Sequence, residues 1–290
     1  MESPRASPAR LTYWELDGLV LSDPEVVRGR RAASELAVQV GKECGEATGE
    51  GGWIACVLRA LADHGNRANP PVSSVGVGVV PPASDSTVSW VMTRGQGSCA
   101  GLAGAVLVLA GPDPDFEALV LPSHVALRSR KTRQVFELLE SGRALLPGER
   151  RRFDRAEVVP GTDFPAYYAD NLAVRLGAAG QVGVAEDLFR EALSAAPRSK
   201  RIHFNLGTLL LDEERSEEAF DHLTEAAKGR RGLAEADLNR GVALWKLGRA
   251  KEAEAAFRRC LRRDPRNLMA QENLRRLDAE VFRPGAAPAP

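Results

Sequence analysis

The chain predicts an α+β domain over its first half and an all-α array of paired helices over its second, and three observations carry that reading. Small and apolar residues recur every 34 positions from about residue 166 to 283. Ahead of residue 160, helical patterns come first and short strand-like runs follow, the order of an α+β domain. Between them a glycine-rich turn opens a strongly apolar helix at Cys99. The expected divisions are a flexible leader over 1–22, the α+β domain over 23–160, the repeats with a capping helix over 161–283 and a disordered tail over 284–290.

Taken in order, Asp23 to Ala47 reads as a helix with Val26, Val27, Ala33, Leu36, Ala37 and Val40 apolar, broken by Gly49, Gly51 and Gly52. Trp53 to His64 resumes a second helix, ended by Gly65. The Pro-, Ser- and Gly-rich stretch Asn66 to Asp85 holds a strand candidate at Val75 to Val80, and Asp85 to Thr93 suits either a short helix or a strand. The turn Arg94 to Ser98 leads into a helix over Cys99 to Ala110. Strand candidates follow at Glu117 to Leu121, His124 to Arg128 and Gln134 to Leu139, then a polar connector with Arg150, Arg151 and Arg152.

Composition bounds the function. Lys and Arg number 39 and Asp and Glu 39, so no net field favours nucleic acid or an anionic membrane. The longest apolar run, Ala100 to Gly111, is too short to span a bilayer, and the N-terminus lacks the apolar stretch of a secretory signal. Cys44, Cys56, Cys99 and Cys260 show neither metal-like pairing nor the density of a disulfide scaffold, so reduced thiols and a cytoplasmic location are expected. His64, His203 and His222 have no ligand spacing, and neither metal nor cofactor is expected. Nothing fixes an oligomeric state.

The repeat is specific. Ala185, Ala219 and Ala253 keep the 34-residue step, as do Ala173, Gly207 and Gly241, the leucines Leu176, Leu210 and Leu244, and Phe189, Leu223 and Phe257. Pro197 and Pro265 close two units. This resembles the tetratricopeptide pattern, two helices per unit with small residues where they approach closely. Units are expected to begin near Ala166, Lys200 and Ala234, and the helix from Leu268 to Val281, with Arg275 in the small-residue place, to act as a cap. The resemblance implies a concave groove for a protein or peptide partner, lined by Tyr167, Asp170, Arg201, Phe204, Leu211, Leu238 and Trp245. Asp170 and Val174 stand where carboxylate-gripping repeats carry a Lys and Asn clamp, so that clamp is absent. Trp245 and Leu211 equally suit packing against a neighbouring helix or domain. Arg258, Arg259, Arg262 and Arg263 read as a solvated helix face rather than a nucleic-acid contact.

The chemistry gathers between Arg94 and Glu140. With Ser98 as N-cap, the Cys99 thiol sits in the first turn of a helix, where the dipole and unpaired N–H groups favour a thiolate and suit an oxyanion. His124 begins a strand downstream. A two-residue turn at Arg130 and Lys131 would set His124 directly opposite Glu137, although that pair lacks the Gly or Asn such turns prefer.

The segments RGQGSCAGLAGAVLVLA, LVLPSHVALR and VFELLESG, within Thr87 to Gly142, resemble the transglutaminase-like superfamily of papain-related folds. That likeness implies Cys99 as nucleophile, His124 as general base and Glu137 as orienting acid, in a place where the superfamily more often carries Asp. Gln96 would donate to the oxyanion, or serve only as a turn residue. The order of domains is similar to that of bacterial members that continue into tetratricopeptide repeats. The implied function is cysteine-dependent acyl transfer (peptidase, amidase or transglutaminase-like) with the repeats recruiting a protein. The alternative is an inactive interaction scaffold or regulatory module. A dinucleotide turn at Gly95, Gly97 and Ala100 or Gly101 fails because the next strand ends in Leu121, Pro122 and Ser123, with no acid to hold a ribose. With no polar, Gly/Ser-rich linker between Val159 and Tyr167, and with Pro160 and Pro165 stiffening the join, the first repeat is expected to pack on the N-terminal domain.

Overall fold

The computed structural model describes residues 12–18, 21–47, 49–68, 87–94, 97–111, 114–121, 124–139, 143–146, 148–154, 156–229 and 233–281. It divides into two compact units, Met1–Ala195 and Ala196–Pro290.

In the first unit, α1 (Tyr13–Asp17) and α2 (Asp23–Glu43) each begin with a capping box, Thr12 with Glu15 and Ser22 with Glu25. Then come α3 (Gly49–Ala68), α4 (Val88–Arg94) and α5 (Cys99–Ala110). The sheet is antiparallel in the order β4-β3-β2-β1-β5, from β1 (Phe116–Leu121), β2 (His124–Ser129), β3 (Val135–Glu137), β4 (Arg143–Ala144) and β5 (Glu157–Pro160). The pair α6 (Phe164–Ala178) and α7 (Val182–Ala195) completes the unit.

Apolar on every side, α5 is buried from Ala100 to Leu107. It packs on β2, α2, α3 and α4. Alternation divides the sheet. Leu119, Ala126 and Val135 share one face with Leu145 and Phe153. On the other, Phe116 stacks on Trp53 with ring centroids 5.9 Å apart, and Phe136 lies 3.1 Å from where a Cβ on Gly51 would stand. One network joins distant segments. The Val88 N–H donates to Tyr168 Oη at 2.6 Å, the Ser89 N–H donates to Asp17 Oδ2 at 2.6 Å, and Tyr168 Oη donates to Asp17 Oδ1. These side chains from α1 and α6 satisfy the first N–H groups of α4, which have no acceptor within their own helix.

Several expectations change. The leader is not flexible throughout: α1 forms within it, with Leu16 and Asp17 buried. The described part of the stretch that suited either helix or strand is helix from Val88, because tertiary partners cap α4. The expected three strands gain β4 and β5, the latter placed by pairing with β1 rather than by any long apolar run. The boundary falls after α7 rather than near 160, because α6 packs on α1 and α5 as well as α7 and so adheres to the N-terminal elements. Reduced thiols give way to a disulfide between Cys44, the C-cap of α2, and Cys56 in α3, their Cα atoms 5.7 Å apart. A short loop returns the chain from one helix to the other, which brings the two together. The strand candidate Val75–Val80 and the tail lie outside the described residues.

The second unit holds α8 (Lys200–Asp212), α9 (Ser216–Ala226), α10 (Ala234–Lys246), α11 (Ala250–Arg263) and α12 (Leu268–Val281). The helix pairs begin where the 34-residue register places them. A Cβ on Gly207 would stand 2.7 Å from Leu223 Cγ, and one on Gly241 2.4 Å from Phe257 Cε1, so these positions need glycine for closeness.

Candidate functional site

Cys99 is the first residue of α5 and a half-buried free thiol. Ser98 caps the helix, its Oγ accepting from the Gly101 N–H at 3.3 Å. Among the described residues no hydrogen bond reaches the thiol, from His124 or from any other group. Gln96 lies outside the described residues.

His124 and Glu137 do meet, Nε2 to Oε2 at 2.8 Å. The expected direct opposition does not hold. Arg128 pairs with Val135 and Leu127 with Phe136, which sets Glu137 two positions from the place opposite His124. The reason is the turn: Ser129 N–H bonds to Gln134 O at 2.9 Å, enclosing four residues with Arg133 at φ 59° instead of two. A diagonal pair on one face of a sheet remains within reach of long side chains, and the added methylene of Glu over Asp covers the offset.

Glu137 is 3% exposed in its side chain and His124 21%. A carboxylate so enclosed needs partners. Arg152 supplies the second, its Nη2 also donating to Glu137 Oε2. The Arg152 guanidinium lies over the Phe153 ring at 4.9 Å, and that ring stands 6.0 Å from the His124 imidazole. Sequence reasoning placed Arg152 in a polar connector and missed this role. The available signal was one Arg triplet downstream of a lone strand carboxylate, and such runs are ordinarily solvated. In the tautomer that gives Nε2–H to Glu137, Nδ1 is the nitrogen left to accept a proton.

The expected groove residues are mixed. Tyr167, Asp170 and Leu211 are buried and present little surface, the first two because α6 is enclosed by its neighbours in the first unit, while Leu211 lies on α8 in the second. Arg201, Phe204, Leu238 and Trp245 are half-buried. Trp245 packs edge-on against Phe257, centroids 6.4 Å apart, the internal contact that sequence reasoning set beside partner binding.

Two polar clusters stand in the second unit where no site was expected. Counting from Gly241, the repeat pattern places a Trp and a Leu where this chain has Asp237 and Arg240. Buried Asp237 meets Arg259 Nε at 2.8 Å, Arg263 Nε at 3.1 Å and Arg240 Nη2 at 3.3 Å. Arg259 and Arg263 also donate to Ala227 O, each at 3.0 Å. The basic run is therefore largely engaged within the protein, not a plain solvated face, and Arg258 pairs with Glu254. Burial, with Asp237 adding, pushes the Cys260 thiol up to about 11, which makes it an inert core residue. One repeat earlier, the place of Asp237 holds His203, whose Nδ1 lies 3.0 Å from Nδ1 of His222. Among the described residues no group of three or more His, Cys, Asp and Glu could hold a metal ion, and no helix is long and apolar enough to cross a membrane.

Residues 171–234 and 238–267 match family models described as tetratricopeptide repeat. Over 92 residues, 32% of this chain, the sequence is 30% identical to the protein O-mannosyl-transferase F38B6.6 of Caenorhabditis elegans, and the match spans 13% of that protein. Solved structures similar to the repeats include the Arabidopsis OM64 TPR domain, at 24% identity over 39% of this chain and 94% of that one, TM-score 0.38. The second TPR domain of human RPAP3, determined with an HSP70 peptide, is 22% identical over 39% of this chain and 94% of its own, TM-score 0.38. Register, helix pairs and family match agree: this chain carries tetratricopeptide repeats between residues 171 and 267.

Proposed function

We propose that the repeats recruit a protein segment and that the N-terminal domain performs cysteine-dependent acyl transfer on an amide. The single observation behind the chemistry is the enclosed His124–Glu137 pair at 2.8 Å, with a free thiol at the start of the helix that packs on the histidine strand. In this reading His124 Nδ1 takes the Cys99 proton and the thiolate attacks the amide carbonyl. N–H groups of the first turn of α5 hold the oxyanion, Gln96 assists them, and the imidazolium protonates the leaving amine. Water or a second amine then releases the acyl group from the thioester. Arg152 and Phe153 fix the plane of the acid and the imidazole.

The test is the pH dependence of Cys99 alkylation by iodoacetamide. An activated thiol titrates below the reference of about 8.5, and His124→Ala moves the midpoint upward. A midpoint at or above the reference in both proteins overturns the enzyme reading.

A second reading, an interaction scaffold built on the same two parts, is favoured by two observations. Arg152 already answers the Glu137 charge, and no hydrogen bond joins Cys99 to His124 among the described residues. Both readings share a protein partner through the repeats, and neither uses a cofactor. The cytoplasmic location stays a proposal, with the Cys44–Cys56 disulfide weighing toward an oxidising compartment.

A further inference from the structure

We propose that His203 and His222 form a two-histidine site for a divalent transition-metal ion, Cu2+ or Ni2+ ahead of Zn2+, within one repeat of the second unit. The rings come from facing helices, His203 from α8 and His222 from α9, so no ligand spacing shows along the chain. Their Nδ1 atoms stand 3.0 Å apart and their ring centroids 5.2 Å. Two bare imidazole lone pairs repel at that distance, so the gap holds a cation, either a proton shared by the rings or a metal ion. The spacing bears on which metal. At a metal–nitrogen length of about 2.0 Å, ligands at a right angle lie about 2.8 Å apart and ligands at the tetrahedral angle about 3.3 Å. The observed 3.0 Å is nearer the first, the arrangement of tetragonal Cu2+ and Ni2+. Both side chains are half-buried, so an ion can reach them, and a turn of His222 about its Cβ–Cγ bond aims both lone pairs at one point.

Two further features suit a ligand pair. In the tautomer that leaves His203 Nδ1 able to bind, Nε2–H donates to Pro197 O at 3.2 Å. A backbone carbonyl behind the ring is a common outer partner of a metal-bound imidazole, and it fixes both tautomer and orientation. Glu225 lies one turn along α9 from His222 and supplies charge. Its carboxyl is held below the usual range, chiefly by the bond from Lys228 and further by both imidazoles. The field of that carboxylate therefore reaches both rings and favours a cation between them. Among the described residues no third protein ligand joins the pair, so water completes the coordination and the ion exchanges with solvent. Once bound, it ties α8 to α9. The site does not depend on thiol chemistry at Cys99.

Isothermal titration calorimetry of the full chain with Ni2+ tests it, the Cys99 thiol first capped by iodoacetamide so that it does not compete. One saturable site is expected, weakened about tenfold or more in His203→Gln and in His222→Gln and unaltered in His64→Gln. The ion should also raise the melting temperature of the wild type and of neither pair variant. Pulsed electron paramagnetic resonance of the wild-type chain loaded with one equivalent of Cu2+ needs no substitution and counts the coordinated imidazoles. Two imidazoles, with binding lost in both pair variants, support the site. A single imidazole, binding that survives either substitution, or no saturation overturns it.

Discussion

Replacing Tyr168 by Phe removes one oxygen and keeps the ring, including its edge contact with Tyr13 at 5.1 Å. That oxygen serves two buried groups, the Val88 N–H and Asp17 Oδ1, and both residues are fully buried. Water cannot replace it without opening the contact between α6 and α1. A buried polar group left without its partner costs about 1–3 kcal/mol, so two of them cost about 2–6 kcal/mol. That is a large share of the 5–15 kcal/mol typical of a whole domain. Urea unfolding followed by near-ultraviolet circular dichroism reads the loss, and hydrogen exchange at the Val88 amide reads its origin. A loss under about 1 kcal/mol with that amide still protected would refute the reasoning and show that α6 does not cap α4.

Other outcomes follow from the same structure. Burial raises the Asp17 carboxyl above its ordinary pKa against the opposing bonds from Ser89 and Tyr168, so its contribution is fully present below the unfolded value and lost as pH rises through the folded one. Wild-type stability measured against Asp17→Asn should therefore grow on acidification from neutrality, and a flat difference would contradict that sign. Gly241→Ala should lower the melting temperature, because overpacking against Phe257 at about 1–3 kcal/mol exceeds the gain in helix propensity of about 1 kcal/mol. Gly41→Ala, with nothing within 4 Å of the new Cβ, should raise it, and equal signs in the two variants would remove the packing argument. Reducing the Cys44–Cys56 bridge, which spans 12 residues, should cost about 3 kcal/mol in unfolding free energy, and an unchanged urea midpoint would show that the loop is not constrained by it.

The helices were legible where periodicity and caps agree. Ser98 and the apolar run after it fix α5 from Cys99 to Ala110, and the 34-residue register fixes the starts of α8 and α10. Meeting of His124 and Glu137 was legible from residue order, but their register was not. Turn length depends on Arg133 adopting a left-handed conformation that its residue type does not advertise. Arg152 escaped notice because its role arises from a partner fifteen positions away on another element. The edge strands β4 and β5 are short and partly exposed, so pairing rather than pattern defines them. Nor does sequence announce the Cys44–Cys56 bridge, which depends on how α2 and α3 fold back on one another.

Repeats that resemble one another carry a hazard of assembly, since a helix can dock in the slot meant for its counterpart 34 residues away. The polar clusters act as addresses against such exchange. If α9 took the place of α11, Glu225 would stand where Arg259 stands and Gly229 where Arg263 stands, setting a second carboxylate against buried Asp237 with neither guanidinium to answer it. In the reverse exchange His203 would lose His222 and face Ala256. An uncompensated buried charge is among the most costly defects a fold can hold, whereas a correct ion cluster adds little net stability over an apolar corner. Asp237 thus makes the wrong pairing of helices that share one repeat register untenable, a contribution that appears in the fidelity of folding rather than in the melting temperature.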